Sequence, residues 1–322
     1  MHDLVIIGGG AAGQAAAMYA RGKELDFLLI ADRLGGRVER PAPADRDYLV
    51  GNILVHYDGP DADDEENLLI GSSVVHRFAR QLRDQRDYIL QDRARAVRRD
   101  GDGFVVDTER SGPVAACAVI VATGATPRRH PHLNGNAALL TELGHGTTQH
   151  RSTLTGKHVA IVGETAQALH SAAEFAASAL QVYLLLPGAG AADRSEVALL
   201  RQRPNIAVLP GYQVVDVVTE RARRVLVIRR GDEVSRLVVD AAFADLGYEP
   251  ASGLLHGLGV TGAGGFVRVD RDHATSVPGL FAAGDVTMPA GEQVLTAIGD
   301  GARAARSAHF YLLTRPVQPV MR

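Results

Sequence analysis

Apolar residues along the chain gather in short runs that end at a glycine, and the runs fall into a repeated order. Leu4 to Ile7 stops at Gly8, an alanine-rich stretch of helical character follows, and a second run from Phe27 to Ile30 ends at Asp32. Unbroken apolar runs of this length, bounded by glycine, predict strands buried on both faces, and the alanine-rich segment between them predicts a helix packed closely on the sheet. The same strand, helix, strand pattern returns at Val159 to Val162, which meets Gly163, an alanine-rich helix and the run ending LLLPG at Gly188. Two more runs, AVIVATGATPR (118–128) and PGLFAAGD (278–285), each predict a buried strand that stops in a turn.

The first βα turn carries specific chemistry. It reads Gly8-x-Gly10-x-x-Gly13, with Ala11 and Ala12 opening the helix and Asp32 near the end of the second strand. Gly8 permits the tight turn, Gly10 lets backbone approach a pyrophosphate, and Gly13 lets helix and strand pack closely. A helix N-terminus then offers unpaired N–H groups and partial positive charge to phosphate. Placed between a strand and a helix, with an acid at the end of the next strand for a ribose, the pattern predicts a dinucleotide site.

Length and composition narrow the setting. A chain of 322 residues is too long for one small core and suits two domains, or one inserted in another. With 46% hydrophobic and 22% charged residues it reads as an ordinary globular protein. No apolar run has the length to cross a bilayer, and the N-terminus enters a strand without a basic, cleavable leader, so the expected location is cytoplasmic, with no membrane partner. A net charge of −3, with arginines scattered among acids, argues against a nucleic-acid partner. The histidines, His130 and His132 among them, lack further ligands at metal spacing, so no metal site is expected.

Together the fingerprint, ATGATPR and AAGD resemble the two-dinucleotide-binding-domain flavoproteins, and length and order point to the low-molecular-weight thioredoxin reductase family. That resemblance covers nearly the whole chain. It implies an α/β fold of two Rossmann-like (three-layer ββα) dinucleotide-binding domains, the second inserted in the first. An FAD-binding domain would comprise residues 1–124 and 247–322, and an NAD(P)H-binding-like domain 125–246. It implies FAD as cofactor, with the turn at Ala122, Thr123 and Gly124 closing over it and Asp285, after Gly284, holding the ribityl hydroxyls. The backbone of Glu292, Gln293 and Val294, at a helix start, would face the flavin pyrimidine end, where partial positive charge stabilises the reduced ring. An arginine commonly precedes that glutamine in the family; Glu292 replaces it. Gly35 and Gly36 match the family's glycine pair beside FAD, Arg37 is able to reach phosphate, and Asn52 stands where the family has an N-x-P-G stretch, without the proline. Tyr48 and Tyr57 suit either stacking on a flavin or plain packing. The acidic run Asp58 to Asn67 reads as a solvated loop. Family members are homodimers, so a two-fold dimer is expected.

The middle of the chain departs from the family. Where the family has G-G-G-x-S/T-A, this sequence has Gly163-Glu164-Thr165-Ala166-Gln167-Ala168. Thr165 puts a β-branched side chain where backbone should approach pyrophosphate, and Glu164 brings a carboxylate that would stand in for phosphate and repel an incoming diphosphate. Leu186-Pro187-Gly188 replaces the family's H-R-R cluster for a 2′-phosphate, with Arg194 the nearest substitute. The frame of a second nucleotide site is therefore expected, with efficient pyridine-nucleotide binding lost.

Sulfur is also missing. Family members that reduce disulfides carry C-x-x-C about ten residues before the second fingerprint, because one thiolate attacks and the other resolves. Gly146-Thr147-Thr148-Gln149 stands there instead, flanked by His145 and His150, and the one cysteine, Cys117, lies in an apolar strand and reads as core filling. Disulfide reduction by the family's route is thereby excluded for these residues. A basic turn, with Arg221, Arg223, Arg224, Arg229 and Arg230, suits either an acidic electron carrier such as ferredoxin or the polar faces of alternating strands. Three functions stay open. One is an FAD oxidoreductase without a redox disulfide whose donor is not ordinary NADPH. Another is a ferredoxin- or NAD(P)H-linked flavin reductase. The third is a flavin-binding sensor or interaction protein that does not turn over.

Overall fold

The computed structural model of the protein describes residues 1–36, 49–50, 69–70, 88–128, 153–221, 223–287 and 294–315. The chain divides into two compact units, Met1–Thr126 with Glu249–Arg322, and Pro127–Tyr248. Each is an α/β unit of Rossmann type, and the second interrupts the first.

In the first unit the chain forms β1 (His2–Ile7), α1 (Ala11–Gly22), β2 (Phe27–Ile30), β3 (Ile89–Leu90), β4 (Ala94–Asp100), β5 (Gly103–Thr108) and β6 (Pro113–Val121). The sheet runs in the order β3-β2-β1-β6-β5-β4. β1 pairs in parallel with β2 (Leu4 opposite Phe27) and with β6 (Leu4 opposite Ala118), while β4, β5 and β6 form an antiparallel meander. Both faces of β1 are covered, which is why Leu4 to Ile7 reads as an unbroken apolar run. Leu4 and Ile6 pack with Leu29, Ile120 and the alanines of α1, whereas Val5 and Ile7 pack with Val97, Phe104 and Val106 of the meander. Each of these buried valine, leucine, isoleucine and phenylalanine side chains contributes on the order of 2 kcal/mol of burial free energy.

The second unit repeats the plan. It contains β7 (His158–Val162), α2 (Ala166–Phe175), β8 (Gln181–Leu186), α3 (Ser195–Arg201), β9 (Ile206–Pro210), β10 (Gln213–Glu220), β11 (Arg223–Arg230), β12 (Glu233–Val239) and β13 (Ala241–Ala244). A parallel sheet, β9-β8-β7-β13, lies beside a three-stranded antiparallel sheet, β10-β11-β12. Val159 and Ile161 face the helices with Phe175 and Phe243, and Ala160 and Val162 face Val214, Val217 and Leu226 of the antiparallel sheet.

Back in the first unit the chain adds β14 (Leu280–Ala282), parallel to β6, and the long α4 (Val294–Thr314). α4 packs on α1 through small residues: a Cβ added at Gly301 would lie 2.0 Å from the Ala12 carbonyl oxygen. Any side chain there forces the helices apart. Among the described residues no helix is long and apolar enough to cross a membrane.

Candidate functional site

The fingerprint turn sits at the carboxyl end of β1, between β2 and β6, where the chain order across the sheet reverses. This is the position at which open α/β sheets bind ligands. Gly8 has φ +118°, and a Cβ on it would lie 2.2 Å from the Ala122 carbonyl oxygen. Gly13 is equally constrained, because its Cβ would come within 1.8 Å of the Gly8 oxygen. Gly10 differs: a Cβ there meets no described atom within 4 Å, so its approach side is open. Gly10 is also the N-cap of α1, and it makes no side-chain cap hydrogen bond. Among the described residues no side chain is seen to cap the first turn of α1, which opens with Ala11 and Ala12. An open face beside an uncapped helix start is what a diphosphate requires.

The other sequence-predicted residues in the first unit gather on the same rim. Gly35 donates its N–H to the Gly9 carbonyl at 2.7 Å. Gly36, at φ +59°, lies so close that a Cβ on it would be 3.0 Å from Gly10 Cα. Ala122, Thr123 and Gly124 follow β6, with Ala122 donating to the Ile7 carbonyl at 2.8 Å. The Thr123 hydroxyl donates to the Ala251 carbonyl at 2.7 Å, and the Ala251 N–H donates to Gly124 at 2.9 Å, which fixes the turn. Gly284 and Asp285 begin a single 3-10 turn directly after β14, and a Cβ on Gly284 would press on Ala12 at 2.9 Å. Val294 opens α4. Arg37, Asn52, Glu292 and Gln293 lie outside the described residues, as do Tyr48, Tyr57, His130, His132, His145, His150 and the Gly146 to Gln149 segment.

Asp32 lies at the end of β2 and accepts a hydrogen bond from Arg93 Nη2 at 2.7 Å. That bond holds its carboxyl below the usual carboxylate range, against a smaller opposing effect of burial. Sequence reasoning missed Arg93, along with two other polar residues of this unit. Gln14, buried in α1, donates from Nε2 to the Gly9 carbonyl at 2.8 Å. His273 is 8% exposed with φ +61°; its Nδ1 is 3.1 Å from the Ala282 carbonyl oxygen and its Nε2 is 3.3 Å from Asp300 Oδ1. It ties β14, just before Gly284 and Asp285, to α4. A histidine far from any motif gave no signal of this in the sequence.

The equivalent turn of the second unit is built differently. Gly163 keeps the tight turn, with φ +154° and a Cβ position 1.9 Å from the Asp245 oxygen. Thr165, however, is the N-cap of α2, and its hydroxyl accepts from the Ala168 N–H at 2.9 Å. The Glu164 carboxylate accepts from the Gly188 N–H, beyond the end of β8. The sequence alone suggests that this carboxylate occupies the start of α2; it reaches across to the next strand instead, because Gly188 has no side chain to keep it away. Arg194 donates to the Glu164 carbonyl at 2.7 Å and pairs with Glu196 at 3.2 Å. The start of α2 and the backbone beyond β8 are thus both engaged by the chain's own polar groups.

The arginines of the basic turn also have internal partners. Arg223 pairs with Asp240 at 3.2 Å, Arg224 donates to the Thr219 hydroxyl at 2.8 Å, and Arg230 lies over the Tyr212 ring at 5.7 Å. Cys117 is half-buried on β6. Among the described residues no group of three or more histidine, cysteine, aspartate and glutamate side chains could hold a metal ion.

Two Rossmann-like units, one inserted in the other, each with a glycine turn at the head of its parallel sheet, define an oxidoreductase frame of thioredoxin reductase type. The sequence matches the pyridine nucleotide-disulphide oxidoreductase family over residues 2–301, and the chain belongs to that family. Its fold is similar to thioredoxin reductase from Giardia duodenalis, with a TM-score of 0.80 at 21% identity, covering 97% of this chain and 99% of the other. Thioredoxin reductase from Streptococcus pyogenes gives 0.76 at 22% identity over 98% and 99% of the two chains. In sequence the chain is 28% identical over 321 residues to the F subunit of the alkyl hydroperoxide reductase of Staphylococcus aureus. That match takes in 97% of this chain but 59% of the relative, so the chain spans about three-fifths of that protein's length.

Proposed function

We propose that the protein is an FAD-dependent oxidoreductase on a thioredoxin reductase-like frame, with no redox-active cysteine pair in these 322 residues and an electron donor other than ordinary NADPH. Met1–Thr126 with Glu249–Arg322 would be the FAD unit, and Pro127–Tyr248 a nucleotide-type unit retained for its fold. The family generally binds FAD, and the residues present fit that group: the side of Gly10 is open and α1 starts without a cap. When bound, FAD supplies electron transfer at its flavin ring. Gly8, Gly10, Ala11, Ala12 and Gly13 would take the diphosphate, Asp32 a ribose, Asp285 the ribityl chain, and Gly35, Gly36 and Ala122 to Gly124 would enclose the cofactor.

The observation that carries the second half of the reading is the contrast between the two turns. Where α1 leaves its N–H groups to a ligand, α2 gives one to Thr165, and Glu164 holds the Gly188 N–H. A diphosphate entering there would approach the Glu164 carboxylate and displace a cap, at a combined cost of roughly 1–3 kcal/mol, which is a factor of about 5 to 150 in affinity. Calorimetric titration with NADPH tests this directly. The FAD-loaded protein should show no binding at micromolar nucleotide, and Glu164→Gly with Thr165→Gly should gain measurable heat. Tight binding by the unaltered protein would refute the reading. A closed two-fold dimer and a cytoplasmic location complete the proposal.

A further inference from the structure

Asp92, between β3 and β4, is fully buried and takes hydrogen bonds from three backbone N–H groups: Arg93 to Oδ1 at 2.7 Å, Arg110 to Oδ2 at 3.0 Å and Ser111 to Oδ2 at 2.8 Å. The Ser111 hydroxyl adds a bond at 2.7 Å. Burial alone would raise this carboxyl, but the hydroxyl and the N–H groups outweigh it and hold it well below the usual carboxylate range. The carbonyl of Arg93 in turn accepts from the Glu109 N–H at 2.9 Å. Both backbone polar groups of Arg93 are therefore fixed, and from that anchored position its guanidinium reaches Asp32, 61 residues earlier in the chain.

The pair itself is exposed, with side-chain exposures of 66% for Arg93 and 50% for Asp32, so it adds little to fold stability. Its position is more informative. The Arg33 carbonyl, next to Asp32, lies against Gly9, so a Cβ there would be 2.3 Å from it, and the pair therefore stands at the rim of the open fingerprint turn. Arg93 engages Oδ2, and the backbone N–H of Arg33 also donates to the carboxylate, so the group is held from two sides while its side chain stays half exposed. Arg33 is the other cation acting on Asp32, and Glu109, which pairs with Arg95 at 2.5 Å, is the anion acting on Arg93.

We propose that Arg93 is a positioning residue for cofactor recognition: it fixes the Asp32 carboxylate to receive the ribose hydroxyls of an adenosine-bearing cofactor. This rests on the FAD reading given above. The buried Asp92 network is the support that makes the placement rigid, because ligand-contacting groups act through the residues that hold them.

FAD affinity measured by fluorescence quenching on the cofactor-free protein tests the assignment. Arg93→Met should raise the dissociation constant about tenfold, the loss expected for an acceptor no longer held by a charged donor, and Arg93→Lys should recover part of it. In an Asp32→Asn background the Arg93→Met change should have little further effect, while thermal unfolding of the cofactor-free variants should match the unaltered protein. Unchanged affinity in Arg93→Met, or an equal loss with and without the Asp32 carboxylate, would overturn the inference and leave the FAD reading intact. Failure of the unaltered protein to bind FAD would overturn both.

Discussion

At the level of single residues, the two βα turns show how little separates a ligand site from a sealed one. Gly10 and Thr165 each cap a helix that follows a parallel strand, but only Thr165 supplies an acceptor for an N–H of that helix. Thr165→Ala should therefore lower the stability of the second unit by about 1 kcal/mol, read as a lower urea midpoint, because the hydroxyl cap is lost. Gly13→Ala should act on the other turn. Its methyl would stand 1.8 Å from the Gly8 oxygen, so the turn must open, and the expected result is loss of flavin from the purified protein together with roughly 1–3 kcal/mol of stability. Asp92 makes a pH prediction. Its folded value lies below its unfolded one, so its stabilising effect is complete above the ordinary carboxylate range and is lost as pH falls through and below that range. Asp92→Asn should be less stable at neutral pH and lose stability less steeply on acidification, as acid titrations of unfolding would show.

Among the elements, what was readable in the sequence was what local sterics enforce. The runs Leu4 to Ile7 and Val159 to Val162 are strands because both faces are covered, and Gly8, Gly13 and Gly163 mark turns because the backbone beside each leaves no room for a Cβ. β1 begins two residues earlier than its apolar run, since His2 and Asp3 pair without being buried. Contacts between distant positions left no such trace. The Glu164 carboxylate meets an N–H 24 residues away and Arg93 meets an acid 61 residues away, and neither partner is marked by periodicity or composition. The cap at Thr165 is a local contact that sequence reasoning missed, although a threonine directly before an alanine-rich run is a helix-start signal. His273 belongs with the distant contacts, and its role is to join β14 to α4. Replacing it with alanine removes ring partners for the Ala282 carbonyl and Asp300, so about 1–3 kcal/mol of stability should be lost. An unchanged unfolding midpoint would mean that the ring does not couple the two elements.

For the molecule as a whole, the family frame is kept while the glycine turns of its two units are built differently. The first unit has an open, uncapped turn, and the second has one whose polar groups are already satisfied by Glu164 and Thr165. Nothing else among the described residues of the second unit marks loss of fold, since β7, β8, β9 and β13 form a regular parallel sheet over a continuous apolar core. The most direct test is anaerobic reduction of the FAD-loaded protein followed by its visible absorbance. The account predicts a flavin spectrum that dithionite bleaches and that micromolar NADPH or NADH leaves unchanged over the same interval. Rapid bleaching by either nucleotide would contradict it.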